Sequence, residues 1–326
     1  VSHYRFGIEW ARIEPQPGEY DDEALAQYVE HARALRAAGI EPILCLWHFT
    51  FPEWVTDLDD PMANGWLHPE LELRWKAYVE RVAEAMKDEV QWYAPQNEPN
   101  AQAMAAYFLG IWPPGAKNDL GAVSAQTEAA AARFIDAAAI LRRIDPDAKV
   151  MTVQNIIAFD PQAWDQLGIF TGIGESYNFA HLDQVSETAD FIGFNYYYRR
   201  DATPFPASER TWPRGIRVAI ETLASRYQKP MVVTENGLGS AFDHQRVAYL
   251  RAHIRQVLLA REAGYDVRGY FAWSLVDNYE WALGWDVDYG LMSEDGTTRA
   301  LRPKPSFDFY ARVARGEVSL IGAASR

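Results

Sequence analysis

Short apolar runs and amphipathic segments alternate along all 326 residues of the chain, and this rhythm constrains the fold more than any other feature. Seven runs read as strands: "YRFGIEW" (4–10), "EPILCLW" (41–47), "VQWYAPQN" (90–97), "AKVMTVQN" (148–155), "DFIGFNYY" (190–197), "PMVVTE" (230–235) and "VRGYFAWS" (267–274). Helical patterns lie between them. "DDEALAQYVEHARALRAAG" places Leu25, Tyr28, Val29, Ala32 and Leu35 on one face, with acidic residues at its start and Gly39 at its end. "DHQRVAYLRAHIRQVLLAREAG" does the same with Val247, Leu250, Ile254, Val257 and Leu258, and closes on Gly264. Strands separated by helices pair in parallel through right-handed crossovers. Either an open doubly wound sheet or a (β/α)8 barrel satisfies that rule. No G-x-G-x-x-G fingerprint follows the first strand. Polar and aromatic residues instead gather at the C-terminal ends of nearly every strand, where barrel enzymes build their sites. The expectation is an α/β chain with a (β/α)8 barrel, one strand short of closure, and a single catalytic domain over residues 1–326.

The formal net charge of −14 argues against a nucleic acid as partner. No apolar run approaches the roughly 18–20 residues that span a bilayer, so no membrane partner is expected. The single cysteine, Cys45, excludes an intrachain disulfide and favours a reducing, cytoplasmic setting. Lying inside "PILCLWHF", it reads as a small core hydrophobe. Twelve Trp and 17 Tyr exceed what a core needs and suit a concave site where flat rings stack on a ligand. The chain opens directly in an apparent strand, with neither an initiator Met nor a signal peptide, and is expected to be N-terminally truncated. Its last stretch, "GEVSLIGAASR" (316–326), reads as a flexible tail.

The strand ends carry Trp10 and Arg12, Trp47 and His48, Asn97 and Glu98, Asn155, Asn195 and Tyr197, Glu235 and Asn236, and Trp273 followed by Glu280 and Trp281. No His/Cys/Asp cluster has metal-ligand spacing and no G-x-S-x-G elbow is present, so neither metal nor cofactor is expected. Two glutamates delivered from different strands, among aromatics and amides, match the needs of glycoside hydrolysis. One carboxylic acid protonates the departing oxygen while a carboxylate attacks or stabilises the anomeric carbon; a separation of about 5–5.5 Å gives retention and about 6.5–9.5 Å gives inversion. Pro99 is expected to hold Glu98 in an extended backbone.

Together, "YRFGIEWARIEP", "QNEPN", "DFIGFNYY", "VVTENG" and "YFAWSLVDNYEW" resemble glycoside hydrolase family 1, the β-glucosidase family. The motifs run in the family's order to about residue 310. The resemblance implies a retaining mechanism in a (β/α)8 barrel, with Glu98 as general acid/base and Glu235 as nucleophile. It implies that Arg5 keeps the nucleophile ionised, that Tyr197 hydrogen-bonds it, and that Asn97 grips the sugar 2-hydroxyl. His48, Trp273, Glu280 and Trp281 match residues that hold the glycone. The implied substrate is a small β-linked glucoside, galactoside or oligosaccharide, and an oligomer is compatible with everything above. Three departures stand out: the family's first strand and helix, with a sugar-binding glutamine, have no counterpart; Phe49 stands where a Trp commonly follows the histidine; and the segment between "VMTVQN" and "DFIGFNYY" is short. Alternatives are a 6-phospho-β-glycosidase, or a truncated barrel with impaired catalysis that only binds sugar or assembles with another chain.

Overall fold

The computed structural model describes residues 1–57, 59–160, 169–201 and 209–321. The chain divides into two compact units: Ser2–Asn155 with Glu175–Ile192, and Ile156–Gly174 with Gly193–Arg326 and Val1.

In the first unit, strands β1 (His3–Gly7), β2 (Glu41–Cys45), β3 (Trp92–Ala94) and β4 (Lys149–Val150) form a parallel sheet in chain order. His3 pairs with Glu41, Ile43 with Trp92 and Tyr93 with Val150. A parallel bridge between Met151 and Phe191 extends the order by one step. From Pro42 to Cys45, β2 is buried at every position. Burial on both faces is why it reads as an unbroken apolar run rather than an alternating one.

The covering helices follow from their local sequence. Asp21 caps the helix Asp22–Ala37 by accepting from the Ala24 N–H at 2.8 Å, and Gly39, at φ +72°, ends it. The helix Leu71–Met86 buries Leu71, Trp75, Tyr78, Val79, Val82, Ala83 and Met86, one continuous stripe at helical spacing. Against it lies Leu120–Ile144, whose buried face is mostly alanine, so the two backbones approach closely. The Trp75 indole N–H donates to the Arg133 carbonyl at 2.8 Å across that contact. Trp75 is fully buried and packs its ring against Trp10, Trp66 and Tyr78 at centroid distances of 5.3–5.7 Å. Sequestering an aromatic side chain of this kind is worth about 1.5–3 kcal/mol.

Strands β5 (Ile192–Asn195), β6 (Met231–Asn236) and β7 (Val267–Ala272) are hydrogen-bonded in the order β7–β6–β5, and all of their residues but Ile192 belong to the second unit. The parallel register of β6 and β7 slips twice, between Met231 and Val232 and between Val233 and Asn236. Helices Pro213–Tyr227 and Asp243–Glu262 pack on each other. Pro213 occupies the first turn of its helix, where its missing N–H costs nothing. Tyr249, Leu250, Ile254, Leu291, Phe309 and Leu320 form a core cluster with Val318 packed against it. Val318 and Leu320 of the expected tail 316–326 thus pack there, and residues 322–326 lie outside the described residues.

All seven expected strands are present, but most end earlier than the apolar pattern suggests. The run 90–97 pairs as a strand only over Trp92–Ala94, and Trp10 belongs to a one-turn helix, Trp10–Ile13, capped by the Glu9 side chain. Glu98 corrects one expectation outright. Its backbone is left-handed, at φ 45° and ψ 55°, not extended. Pro99 opens the helix Pro99–Ala103, and the turn from strand to helix requires the reversed φ immediately before it. The Glu98 N–H bonds to the Val153 carbonyl at 2.7 Å, and its carbonyl accepts from Ala101 and Gln102, so both backbone groups are satisfied. Among the described residues, no helix is long and apolar enough to cross a membrane.

Candidate active site

The first unit gathers Arg5 from the middle of β1 with His48 and Asn97 from the segments that follow β2 and β3. Asn97 is fully buried, and its backbone N–H bonds to the Trp47 carbonyl at 2.9 Å. Its side chain bridges the other two: Arg5 Nη1 donates to Asn97 Oδ1 at 3.1 Å, and Asn97 Nδ2 meets His48 Nε2 at 3.0 Å. Donor logic fixes the protonation. A guanidinium only donates, so Oδ1 faces Arg5; Nδ2 then donates to His48, whose Nε2 must be the unprotonated nitrogen. Burial, and secondarily the Arg5 charge, push the His48 imidazole well below its ordinary pKa, which keeps it neutral as this geometry requires.

Glu98 is 6 % exposed. Its Oε1 accepts from Asn155 Nδ2 at 3.0 Å, and Asn155 Oδ1 accepts the Tyr177 hydroxyl at 3.0 Å. Asn100, two residues along, donates to the carbonyls of Asn155 and Tyr177 at 2.8 and 3.0 Å. The helix bearing Tyr177 is thereby tied to the turn bearing Glu98.

In the second unit, Glu235 lies near the end of β6 and is 4 % exposed. The Tyr197 hydroxyl donates to Glu235 Oε2 at 2.6 Å, a charge-assisted contact. Asn236, next in sequence, is a structural clamp: Nδ2 donates to the Tyr196 carbonyl and to the Tyr249 hydroxyl, while Oδ1 accepts the Tyr270 hydroxyl at 2.6 Å. The Tyr249 hydroxyl in turn donates to the Tyr197 carbonyl at 2.6 Å, so the clamp also fixes the residue that reaches Glu235. Gly237 follows because the backbone of Trp273 leaves no room for a side chain; a Cβ there would stand 2.0 Å from the Trp273 carbonyl oxygen.

Glu280 takes an N–H from Asn278 Nδ2 on its Oε2 at 3.0 Å, and Asn278 Oδ1 accepts from Ser274 Oγ at 2.9 Å. Desolvation raises the Glu280 carboxyl pKa; hydrogen bonds from Asn278 and Trp273 oppose this, and the charge of Glu235 adds to it. Trp281 begins a short 3-10 turn, Trp281–Leu283, with a left-handed φ of 48°. Trp285 is 69 % exposed and stands edge-on to Tyr279. Among the described residues, no group of three or more His, Cys, Asp or Glu could hold a metal ion.

The predicted residues thus fall into sets: Arg5–Asn97–His48 and Glu98 in the first unit, and Tyr197–Glu235 with Glu280 and Trp273 in the second. Sequence reading placed Asn155 and Asn236 at strand ends without giving them a task, and it missed Tyr177, Asn278 and Ser274 altogether. The repeated Asn at strand ends was a signal. Tyr177 offered none, because its partner lies 22 residues away. Chemically, each unit presents a buried carboxylate whose orientation is set by a neutral donor.

Known proteins resemble this chain over nearly its whole length. The family described as Glycosyl hydrolase family 1 matches residues 1–171 and 202–318. The chain is 30 % identical to a bifunctional β-D-glucosidase/β-D-fucosidase of Bifidobacterium breve, with 96 % of this chain and 83 % of that protein aligned. The crystal structure of Fpglu1 from Fervidobacterium pennivoraus superposes with a TM-score of 0.87 at 27 % identity, covering 96 % of this chain and 80 % of that one. A β-glycosidase from Pyrococcus horikoshii gives 0.83 at 31 % identity with the same coverage. The fold class is accordingly α/β, the (β/α)8 barrel type. The chain belongs to glycosyl hydrolase family 1 and is a β-glycosidase.

Proposed function

We propose that the protein is a retaining β-glycosidase acting on small β-linked glucosides or galactosides, with residues 1–326 working as one catalytic domain. The observation that supports this best is the matched pair of buried glutamates in the family's two motifs, one oriented by Asn155 and the other by Tyr197. In the first step Glu98, as the acid, donates its proton to the glycosidic oxygen while a Glu235 oxygen attacks the anomeric carbon; the aglycone leaves as an alcohol. In the second, Glu98, now a carboxylate, takes a proton from water, whose oxygen attacks the same carbon and frees Glu235. Two inversions give net retention.

Asn97, held by Arg5, is the contact to the 2-hydroxyl, where bonding strengthens in the transition state. His48, Trp273, Glu280 and Trp281 hold the rest of the glycone. A carboxylate at Glu280 would repel a sugar phosphate, which favours a non-phosphorylated glycone. The similarity to a protein named for glucosidase and fucosidase activity fits a glycone of this size.

Azide rescue on an aryl β-glucoside tests both roles by stereochemistry. In Glu235→Ala, azide fills the nucleophile's place in one displacement and gives the α-glycosyl azide. In Glu98→Ala, azide intercepts the covalent intermediate and gives the β-glycosyl azide. Rescue with the opposite anomers, or turnover surviving in Glu235→Ala without azide, overturns the assignment.

A further inference from the structure

We propose that Asn278 is a positioning residue for the glycone: its amide favours Glu280 as an accepting carboxylate over Glu280 as a protonated acid, and so couples the choice between sugars to pH. This rests on the reading of Glu280 as a glycone contact. All the groups involved lie in the second unit. Asn278 Nδ2 donates to Glu280 Oε2 at 3.0 Å, Asn278 Oδ1 accepts from Ser274 Oγ at 2.9 Å, and the same hydroxyl reaches the Val276 carbonyl at 2.8 Å. A serine hydroxyl has one proton to share between those two acceptors. Two arrangements therefore give each side chain a partner. In the first, the hydroxyl donates to Asn278 Oδ1 and the amide N–H donates to an ionised Glu280. In the second, the amide is turned over. Glu280 is then protonated and donates to Asn278 Oδ1, Nδ2 donates to Ser274 Oγ, and the hydroxyl donates to the Val276 carbonyl, which can only accept. The two arrangements differ by one proton on Glu280. An ionised Glu280 facing Oδ1 would set two acceptors against each other, so ionisation requires the amide to present Nδ2.

Other groups act on the same balance. Desolvation and the charge of Glu235 favour the protonated form, while a hydrogen bond from Trp273 joins Asn278 in favouring the carboxylate. Asp277, beside Asn278, is neutralised by Lys304 Nζ at 2.7 Å. As a carboxylate, Glu280 accepts from sugar hydroxyls with charge assistance, which roughly doubles the strength of such bonds. Protonated, it turns its proton to Asn278 and offers the sugar neutral oxygens. The main chain is held without the Asn278 side chain: Leu291 N–H bonds to the Ser274 carbonyl at 2.8 Å, Asp277 N–H to the Met292 carbonyl at 3.0 Å, and Glu280 N–H to the Gly284 carbonyl at 2.7 Å. Replacing the amide therefore changes the partner of Glu280 and leaves its backbone in place.

The test is the pH dependence of a ratio: kcat/KM on an aryl β-glucoside over kcat/KM on the matching aryl β-xyloside, which lacks the hydroxymethyl group. Ionisations of Glu98 and Glu235 in the free enzyme act on both substrates and cancel. In the parent protein the ratio is expected to rise about tenfold in one step as Glu280 ionises. In Asn278→Leu, which keeps the size and loses the donor, the midpoint of that step should move up by about one pH unit. In Asn278→Asp, which keeps the shape and adds a like charge, it should move further. A structural defect would lower both substrates alike and leave the midpoint where it was. A ratio without a step in the parent, or a midpoint that stays or falls in either variant, overturns the proposal. Glu280→Gln separates this inference from the reading beneath it. If Glu280→Gln leaves the ratio unchanged at every pH, the glycone role of Glu280 itself fails. If it removes the step and the Asn278 variants leave the midpoint in place, only the role of Asn278 fails.

Discussion

Replacing Gly237 by alanine is the most direct test of how the fold places Glu235. Gly237 follows β6 without a spacer, and its Cα faces the main chain of Trp273. An alanine Cβ would stand 2.0 Å from the Trp273 carbonyl oxygen and 3.0 Å from its carbonyl carbon. Carbon–oxygen contacts settle at about 3.3–3.6 Å, so one backbone must retreat by more than about 1 Å. No side chain can swing aside to absorb this, because the obstacle is a peptide group. The two segments are also stitched together, Trp273 N–H to the Asn236 carbonyl at 3.0 Å. Retreat therefore stretches that bond and drags the Asn236 clamp. Overpacking typically costs about 1–3 kcal/mol; a backbone obstacle belongs at or above the upper end. A displacement of about 1 Å near a reacting group costs on the order of 100-fold in rate. We expect Gly237→Ala to lower both the unfolding midpoint and kcat/KM on an aryl β-glucoside, the latter by about 100-fold, and chiefly through kcat. Gly296→Ala is the control, since nothing lies within 4 Å of the added methyl. A Gly237→Ala protein with kcat/KM within about threefold of the parent would refute the close-approach argument.

Tyr197→Phe removes the 2.6 Å bond to Glu235. Hydrogen bonds to charged groups are worth about 1.5–3 kcal/mol, so kcat is expected to fall by about 10–100-fold with little change in unfolding midpoint; an unchanged kcat would show that the contact does no work in the reaction. His181 predicts a pH dependence of stability. It is buried in the first unit beside Phe134, its imidazole pKa pushed down to about 3 by desolvation. The unfolded chain takes up a proton there near pH 6.5 while the folded chain does not, so stability falls as pH drops from about 6.5 toward 3. At pH 4.5 this single group costs about 2–3 kcal/mol. His181→Leu should accordingly flatten the decline in urea unfolding free energy between pH 7 and 4.5, and parallel declines for the two proteins would count against it.

The sequence was legible where one physical effect dominates. Strands β2 and β6 are buried along nearly their whole length, and continuous burial leaves an unbroken apolar run that no other element imitates at that length. The helix Leu71–Met86 announces itself through seven buried residues at helical spacing. Strand ends were less legible, because a strand stops where its neighbour stops, and the neighbour is distant in sequence. The apolar character of "VQWYAPQN" continues past Ala94, yet Pro95 has no N–H to give a ladder and the chain must turn at Glu98.

The site divides in the same way. Glu98 and Glu235 were visible because a carboxylate at the end of an apolar strand is anomalous, and an anomaly in one dimension needs only one dimension to detect. What orients them is not anomalous. Asn155, Tyr177, Asn236 and Tyr249 are ordinary residues in ordinary patterns, and each gains its role from a donor or acceptor brought in by another segment. Neutral amides and phenols suit that task physically. They can turn a carboxylate without adding a charge that would have to be desolvated, and their donor–acceptor asymmetry passes direction from one group to the next. Such asymmetry leaves no trace in composition or periodicity. A flipped Asn155 would be identical in sequence and nearly identical in shape, yet it would present Glu98 with the wrong partner. The residues that turn the two carboxylates are therefore the part that a reading of residue types misses, and removing a single oxygen, as in Tyr197→Phe, is the means of exposing them.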